Sequence, residues 1–139
     1  MQGQDYKNHV RWDPTFHFVA MPLALIGLVG MVVHLIQRPS WLSVLFVIAA
    51  LALLLTVAKL RMYATRVQDR VVRMEENFRH FVLTGAPLDP ALTMDQIIGL
   101  RFAGDEEFAA LCERAVREHL GKDDIKKAVQ KWRADTHRV

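Results

Sequence analysis

Two long apolar runs dominate the first half of the chain. Residues 16–36, FHFVAMPLALIGLVGMVVHLI, form a run of 21, and residues 41–58, WLSVLFVIAALALLLTVA, form a run of 18. At 1.5 Å per residue, helices of these lengths cover about 31 Å and about 27 Å, close to the thickness of a bilayer core. The four residues between them leave room only for a tight turn. The pattern therefore predicts an antiparallel transmembrane hairpin.

A cleavable signal sequence is a competing interpretation of the first run. Fifteen mostly polar residues precede the run and no A-x-A site follows it, whereas a signal peptide has a short charged leader and a small-residue cleavage site. We therefore expect a true span. Asp13 is its predicted N-cap, Pro14 its first helical position, and Pro22 the site of a kink.

Beyond residue 58 the chain becomes polar, but apolar residues continue at spacings of three and four. This periodicity predicts that the second span runs on as one helix to about Thr84, where Gly85 ends it. The apolar positions are Leu60, Tyr63, Val67, Val71, Met74, Phe78 and Phe81.

Three short amphipathic helices are predicted after that long helix. Thr93 and Gln96 form a capping box at the start of the first, Asp105 caps the second and Gly121 ends it. The third carries Ile125, Ala128, Val129 and Trp132 at helical spacing. These helices either fold back on the long helix as a small bundle or pack on a partner. The predicted fold is all-α, with a cytoplasmic or interfacial arm (1–14), a transmembrane hairpin (15–58) and a cytoplasmic helical tail (59–139).

The distribution of cations predicts the orientation of the hairpin. Arg38 is the only cation of the connecting turn, whereas Lys7 and Arg11 precede the first span. Five cations follow the second span: Lys59, Arg61, Arg66, Arg70 and Arg73. Because cytoplasmic flanks of spans are rich in Lys and Arg, both termini are expected in the cytoplasm.

Candidate chemistry is sparse. The single cysteine, Cys112, excludes an internal disulfide and a Cys-rich metal site. The acidic run 105–107 lies in the first turn of a predicted helix, where it complements the helix dipole. No nucleophile elbow, phosphate-binding glycine loop or HExxH motif is present, and the two runs contain no Asp, Glu or Lys and no Arg. We therefore predict neither an enzyme nor a transporter, and neither a small-molecule substrate nor a nucleic-acid partner.

Two histidines lie in the first span, His17 and His34, about 25 Å apart along a helix. Between them Ala20, Ala24 and Gly27 form a small-residue face suited to helix packing. The segment GMVVH is similar to light-harvesting polypeptides, in which a small residue four positions before the histidine lets a bacteriochlorophyll ring approach the backbone. No cofactor is expected in the main interpretation, and bacteriochlorophyll or haem at His34 is kept as an alternative.

The whole chain resembles a family of uncharacterised bacterial two-span membrane proteins, known as a domain of unknown function. Four stretches carry the resemblance: QDYKNHVRWDPTFHFVAMPL (4–23), RMYATRVQDRVVRMEENFR (61–79), LTMDQIIGLRFAGDEEF (92–108) and IKKAVQKWRAD (125–135). It implies an inner-membrane hairpin with a helical cytoplasmic tail, and it implies no reaction.

Three functional hypotheses follow. The first is a non-enzymatic accessory or stabilising subunit that packs against larger subunits of a membrane complex, such as a photosynthetic or respiratory one. The second is a pigment- or haem-binding subunit that uses His34. The third is a self-associating scaffold whose Arg66, Arg70 and Arg73 contact anionic lipid headgroups. The expected partners are thus membrane lipids and either larger membrane subunits or further copies of the chain.

Overall fold

The computed structural model describes Tyr6 and residues 13–135, and the fold within them is all-α, as predicted. A π-helical turn, Thr15–Ala20, leads into α1, Met21–Gln37. It is followed by α2, Trp41–Thr84, α3, Met94–Leu100, α4, Asp105–Arg117, and α5, Lys122–Ala128. Among the described residues, one compact unit runs from Asp13 to Thr65, and a second comprises Tyr6 and the residues from Arg66 onward. Most of the predicted arm (1–14) lies outside the described residues.

The start of the first helix follows from Asp13 and Pro22. The Asp13 carboxylate accepts the Phe16 N–H at 3.1 Å, which confirms Asp13 as N-cap. A proline ring clashes with the carbonyl four residues before it. The helix meets this restriction with a wider turn just before Pro22, in which the Met21 N–H donates to the Phe16 carbonyl, five residues back. The irregularity expected at Pro22 is therefore a π-helical turn.

Contacts at both ends tie α1 and α2 into an antiparallel hairpin. At the turn, the buried Ser43 hydroxyl donates to the Arg38 carbonyl at 2.9 Å, and the Ser40 hydroxyl caps α2 by accepting the Ser43 N–H at 3.1 Å. At the opposite end, Arg61 Nη1 lies 3.3 Å from Asp13 Oδ2. The short connection thus gives the hairpin geometry that the sequence predicts.

By length and composition, the helical segments Thr15–Gln37 and Trp41–Thr84 could each cross a membrane. Only 6% of the residues in the most apolar 18-residue window of each segment are buried. The apolar side chains of this unit therefore point mostly away from the protein itself.

The second unit contains the hydrophobic core. Val72 of α2 meets Leu100 of α3, Phe108 of α4 and Ile125 of α5 in one cluster of buried side chains. The capping box of α3 is present as predicted, with Thr93 accepting the Gln96 N–H and Gln96 accepting the Thr93 N–H. Gly85 ends α2 in a left-handed conformation at φ 78°, and its N–H donates to Phe81, also as predicted.

Two predicted helix boundaries are wrong. The N-cap of α4 is Gly104, and Asp105 makes no capping bond because its carboxylate pairs with Arg79. Gly121 does not end α4. His119 adopts the left-handed conformation there, at φ 50°, and the Leu120 N–H reaches the Ala115 carbonyl in a Schellman arrangement.

The third short helix ends earlier than its apolar periodicity predicts. After Ala128 the chain is extended, and Trp132 forms an antiparallel bridge with Ala103 instead of a further helical turn. The Gly104 N–H donates to the Lys131 carbonyl, and the Arg133 N–H donates to the Phe102 carbonyl, both at 2.8 Å. The side chain of Trp132 thereby stacks on Phe102, with ring centroids 5.2 Å apart.

Candidate functional site

Glu76, on the inner side of α2, is a buried carboxylate of the second unit. Glu76 is only 4% exposed to solvent. Arg79 lies one turn further along the same helix, and its side chain is 10% exposed. Arg79 Nη1 donates to Glu76 Oε2 at 3.0 Å. A buried carboxylate requires such partners, because removing it from water without them is costly.

The guanidinium of Arg79 donates hydrogen bonds to three different residues. Besides Glu76, it donates through Nε to Asp105 Oδ1 at 2.7 Å and through Nη2 to the Ala103 carbonyl at 2.7 Å. Its guanidinium carbon also lies 4.2 Å from the ring centroid of Phe108. One side chain of α2 therefore holds the start of α4 and the loop before it.

Burial has the largest effect on the pKa of Glu76. Desolvation raises the pKa of the Glu76 carboxyl above its usual range, and the hydrogen bond and charge of Arg79 oppose this only in part. Arg133, from the extended segment after α5, adds a weaker contact at 3.5 Å to Glu76 Oε1. The carboxylate thus joins α2 to the last described segment of the chain.

A groove of about 560 Å³ opens beside this cluster. Its apolar wall includes Val71, Phe78 and Val82 of α2, and its polar wall includes Arg101 and Asp135. Arg101 is 9% exposed, and its Nε lies 3.3 Å from Asp135 Oδ2 without the geometry of a hydrogen bond. Both acidic and basic side chains line the groove.

The charged groups of this cluster form ion pairs that join different segments of the second unit, an arrangement that stabilises the fold. Glu76, Asp105 and Asp135 each face a guanidinium group at 3.5 Å or less. Within the described part of the chain, no group of three His, Cys, Asp or Glu side chains is placed to hold a metal ion. Sequence reasoning missed this cluster, although the i, i+3 spacing of Glu76 and Arg79 is a signal for a helical ion pair.

Cys112 lies in the core of the same unit, with 3% of its surface exposed. Burial, reinforced by the negative charge of Glu76, raises the pKa of its thiol to about 12. A thiol in this state is a poor nucleophile, because the reactive form is the thiolate.

The predicted packing face of α1 has two different parts. Ala24 is buried at 7% exposure and Ala20 is half-buried, whereas Gly27 is exposed and a Cβ built on it would meet no atom within 4 Å. His34 is also exposed. The structure thus does not gather His34 and the three small residues into one buried surface of the hairpin.

The three predicted headgroup-binding arginines, Arg66, Arg70 and Arg73, are all exposed on α2. Arg73 also donates to the Leu92 carbonyl at 3.4 Å, so it has a structural contact in the second unit. Their binding to lipid stays a prediction.

Comparison with known proteins places the chain in a family without assigning it an activity. Residues 1–139 match a family of unknown function, DUF6526, and the chain belongs to it. This confirms the predicted membership of an uncharacterised family, while the membrane topology and the bacterial origin stay predictions. Neither curated proteins nor solved structures gave a match.

Proposed function

We propose that this member of DUF6526 is a non-enzymatic integral membrane protein that packs against a larger membrane complex as an accessory or stabilising subunit. In this proposal α1 and the first half of α2 span a bacterial inner membrane, with both termini in the cytoplasm. The excess of cations after the second apolar run, against Arg38 alone in the turn, supports that orientation.

The observation that carries the proposal is the exposure of the hairpin. Phe18, Leu23, Ile26, Ile48 and Leu53 are between 56% and 70% exposed, although all are large and apolar. Such a surface is unfavourable in water, where each fully exposed side chain of this size forgoes about 1.5–3 kcal/mol of burial. Lipid tails or apolar helices of other subunits are the surroundings that suit it.

The open face of α1 supports a subunit role in particular. Neither Gly27 nor Gly30 has an atom within 4 Å of a built Cβ, so a flat strip of backbone is exposed beside the apolar side chains. Small residues let membrane helices approach closely, and close approach replaces the hydrophobic effect as the source of helix association in lipid. A helix of a larger subunit would fit this strip.

The polar groups of the second unit support a structural role. Three carboxylates of the groove, Glu76, Asp105 and Asp135, are paired with arginines of the same unit, and the one thiol is buried. A structural role, the attachment of the short helices to α2, therefore explains why these charged groups are present.

The first experiment tests the membrane proposal. Alkaline carbonate extraction of native membranes should leave the chain in the pellet. A cysteine introduced by Pro39→Cys should then react with an impermeant thiol reagent that is added to intact cells. A cysteine introduced by Glu113→Cys should react only after the membrane is opened. Release of the chain by carbonate would overturn the proposed insertion in the membrane. The reverse labelling pattern would overturn the proposed orientation.

The second experiment tests the subunit proposal. Gentle solubilisation and purification through a carboxy-terminal tag should recover larger membrane subunits in a fixed ratio. Gly27→Leu should abolish their recovery, because the added side chain fills the open strip without touching the hairpin itself. Val29→Phe, which adds bulk to another exposed side of α1, is the matched control and should retain them. Recovery of a homo-oligomer with nothing attached would contradict the accessory role.

One observation favours a second candidate function, the binding of a pigment or haem ring at His34. His34 is exposed, and the glycine four residues before it, Gly30, leaves open space over the backbone. A flat ring ligated by the imidazole could rest there. The visible spectrum of the purified protein decides this candidate: absorption bands that His34→Ala removes would support it, and a colourless protein would rule it out.

A further inference from the structure

The second half of α2 carries an apolar seam that the short helices leave uncovered. The seam consists of Val67, Val71, Met74, Phe78 and Phe81, which are 62%, 46%, 72%, 69% and 53% exposed. The short helices pack instead on the side of α2 that presents Val72 and Glu76. The seam is therefore a surface that the chain's own described residues do not fill.

We propose that this seam is the interface of a parallel, two-stranded coiled coil between two copies of the chain. The five residues follow one another at spacings of four, three, four and three. This is the a/d pattern of a heptad repeat, in which Val71 and Phe78 take position a and Val67, Met74 and Phe81 take position d. The sequence continues the same register backwards to Ala64 and Leu60.

The charges that border the seam specify a second copy in parallel orientation. In this register Arg70 takes position g and Glu75 takes position e, and both side chains are exposed. In a parallel coiled coil a residue at g faces the residue at e′ five positions further along the partner helix. Arg70 of each copy would therefore meet Glu75 of the other, and twofold symmetry produces this pair twice.

An antiparallel dimer loses that complementarity, because g then faces g′ and e faces e′, so that Arg70 and Glu75 no longer meet across the interface. The parallel orientation also agrees with insertion of both copies in one membrane, where α2 must run in the same direction in each. The inference itself rests on the seam and its charges, and it does not require the accessory-subunit role.

The groove beside α2 can receive side chains of a second helix. Gln68, Glu75 and Val82 occupy the e positions in this register, and all three line the 560 Å³ groove. The side chains that a partner presents at its g positions, Arg70 among them, would therefore enter the mouth of this groove.

Cysteine cross-linking of the full-length protein in its membrane or in mild detergent tests both association and direction. Val67→Cys and Phe81→Cys are made separately, 14 residues apart, and each is oxidised mildly. In a parallel, in-register dimer each position meets its own copy, so each variant should form a disulfide-linked dimer. Arg66→Cys, exposed at the outward-facing position c, is the matched control and should stay monomeric. Cys112 does not interfere because it is buried.

Two outcomes would overturn the proposal. If neither variant cross-links more than the control, the seam does not join two copies. If Val67→Cys cross-links only when it is mixed with a Phe78→Cys variant, the dimer is antiparallel, because position d then faces position a′ of the other copy.

A charge reversal gives an independent test of the register. Arg70→Glu and Glu75→Arg should each weaken dimerisation by about fivefold, since each places two pairs of like charges across the interface. The double variant Arg70→Glu/Glu75→Arg restores opposite charges and should recover the original dimer fraction. Both residues are exposed, so folding of the monomer should be unaffected. Failure of the double variant to recover the dimer would contradict the proposed register.

Discussion

Glu76 and Arg79 lie one turn apart on α2, joined by a 3.0 Å hydrogen bond, and both are largely withdrawn from solvent. The pair fixes more than its own helix, because Arg79 also binds Asp105 and the Ala103 carbonyl. Burial of the carboxylate is unfavourable by itself and is tolerated because the guanidinium is present.

Replacement of Arg79 by Met should lower the free energy of unfolding of the second unit by about 3 kcal/mol at neutral pH, because the Glu76 carboxylate then stays buried without its main partner. Urea unfolding of the full chain in detergent measures this change. The double variant Glu76→Gln/Arg79→Met should lose less than Arg79→Met alone. Equal losses would show that the unpaired charge is not the cause.

The pH dependence of stability should carry the signature of Glu76. Its pKa in the folded state is raised above the ordinary value of 4.5, so the folded state binds the proton more tightly than the unfolded state. The contribution of this group is therefore fully present below about pH 4.5 and is lost as pH rises through the raised pKa. Unfolding measured from pH 4 to pH 8 should show that Glu76→Gln gains stability relative to the parent as pH rises. A constant difference would contradict the raised pKa.

A side chain at Gly99 should destabilise the packing of α3 on α5. A Cβ at this position would lie 3.0 Å from the Lys122 carbonyl oxygen and 3.1 Å from Ile125 Cγ2. Neither atom is the free end of a flexible chain, so α3 and α5 must separate. We expect Gly99→Ala to lower the free energy of unfolding of the second unit by about 1 kcal/mol or more, measured by urea unfolding. Gly27→Ala, whose methyl group meets nothing, is the control and should leave that unit unchanged.

Cys112 should report the opening of the second unit. Because its thiol is buried and its pKa is raised to about 12, iodoacetamide at pH 8 should modify it only through unfolding. The labelling rate of the parent protein, followed by mass spectrometry, should rise with urea in step with loss of helix and should be faster in Arg79→Met. Rapid labelling without denaturant would show that the core around Cys112 is open.

Local patterns predicted much of the fold. Asp13 caps the first helix, Thr93 and Gln96 form the capping box of α3, and Gly85 ends α2. Each of these features depends on residues within a few positions of one another, so the sequence contains the necessary information. The two apolar runs likewise identify the helices of the hairpin.

Predictions failed where a distant contact competed with a local preference. Trp132 has the spacing of a helical residue, but the hydrogen bonds that Lys131 and Arg133 make with the loop before α4 hold the chain extended. Aspartate is a favourable N-cap residue, but the Asp105 carboxylate accepts a hydrogen bond from Arg79, 26 residues earlier, and does not cap α4. Neither competitor can be identified from the neighbouring sequence.

The sequence by itself determined where the helices lie, which runs are apolar enough to cross a membrane, and that α2 continues from one unit into the other. These properties depend on hydrophobic periodicity and on helix caps, which act over short distances. Only the tertiary structure decided which side of α2 the short helices cover. They cover the side of Glu76 and Arg79, where a buried ion pair makes contacts with three segments, and they leave the more apolar seam exposed. The apolar pattern shows which surfaces of α2 need covering, whereas contacts between residues distant in the sequence, both apolar and polar, decide which of them the short helices cover.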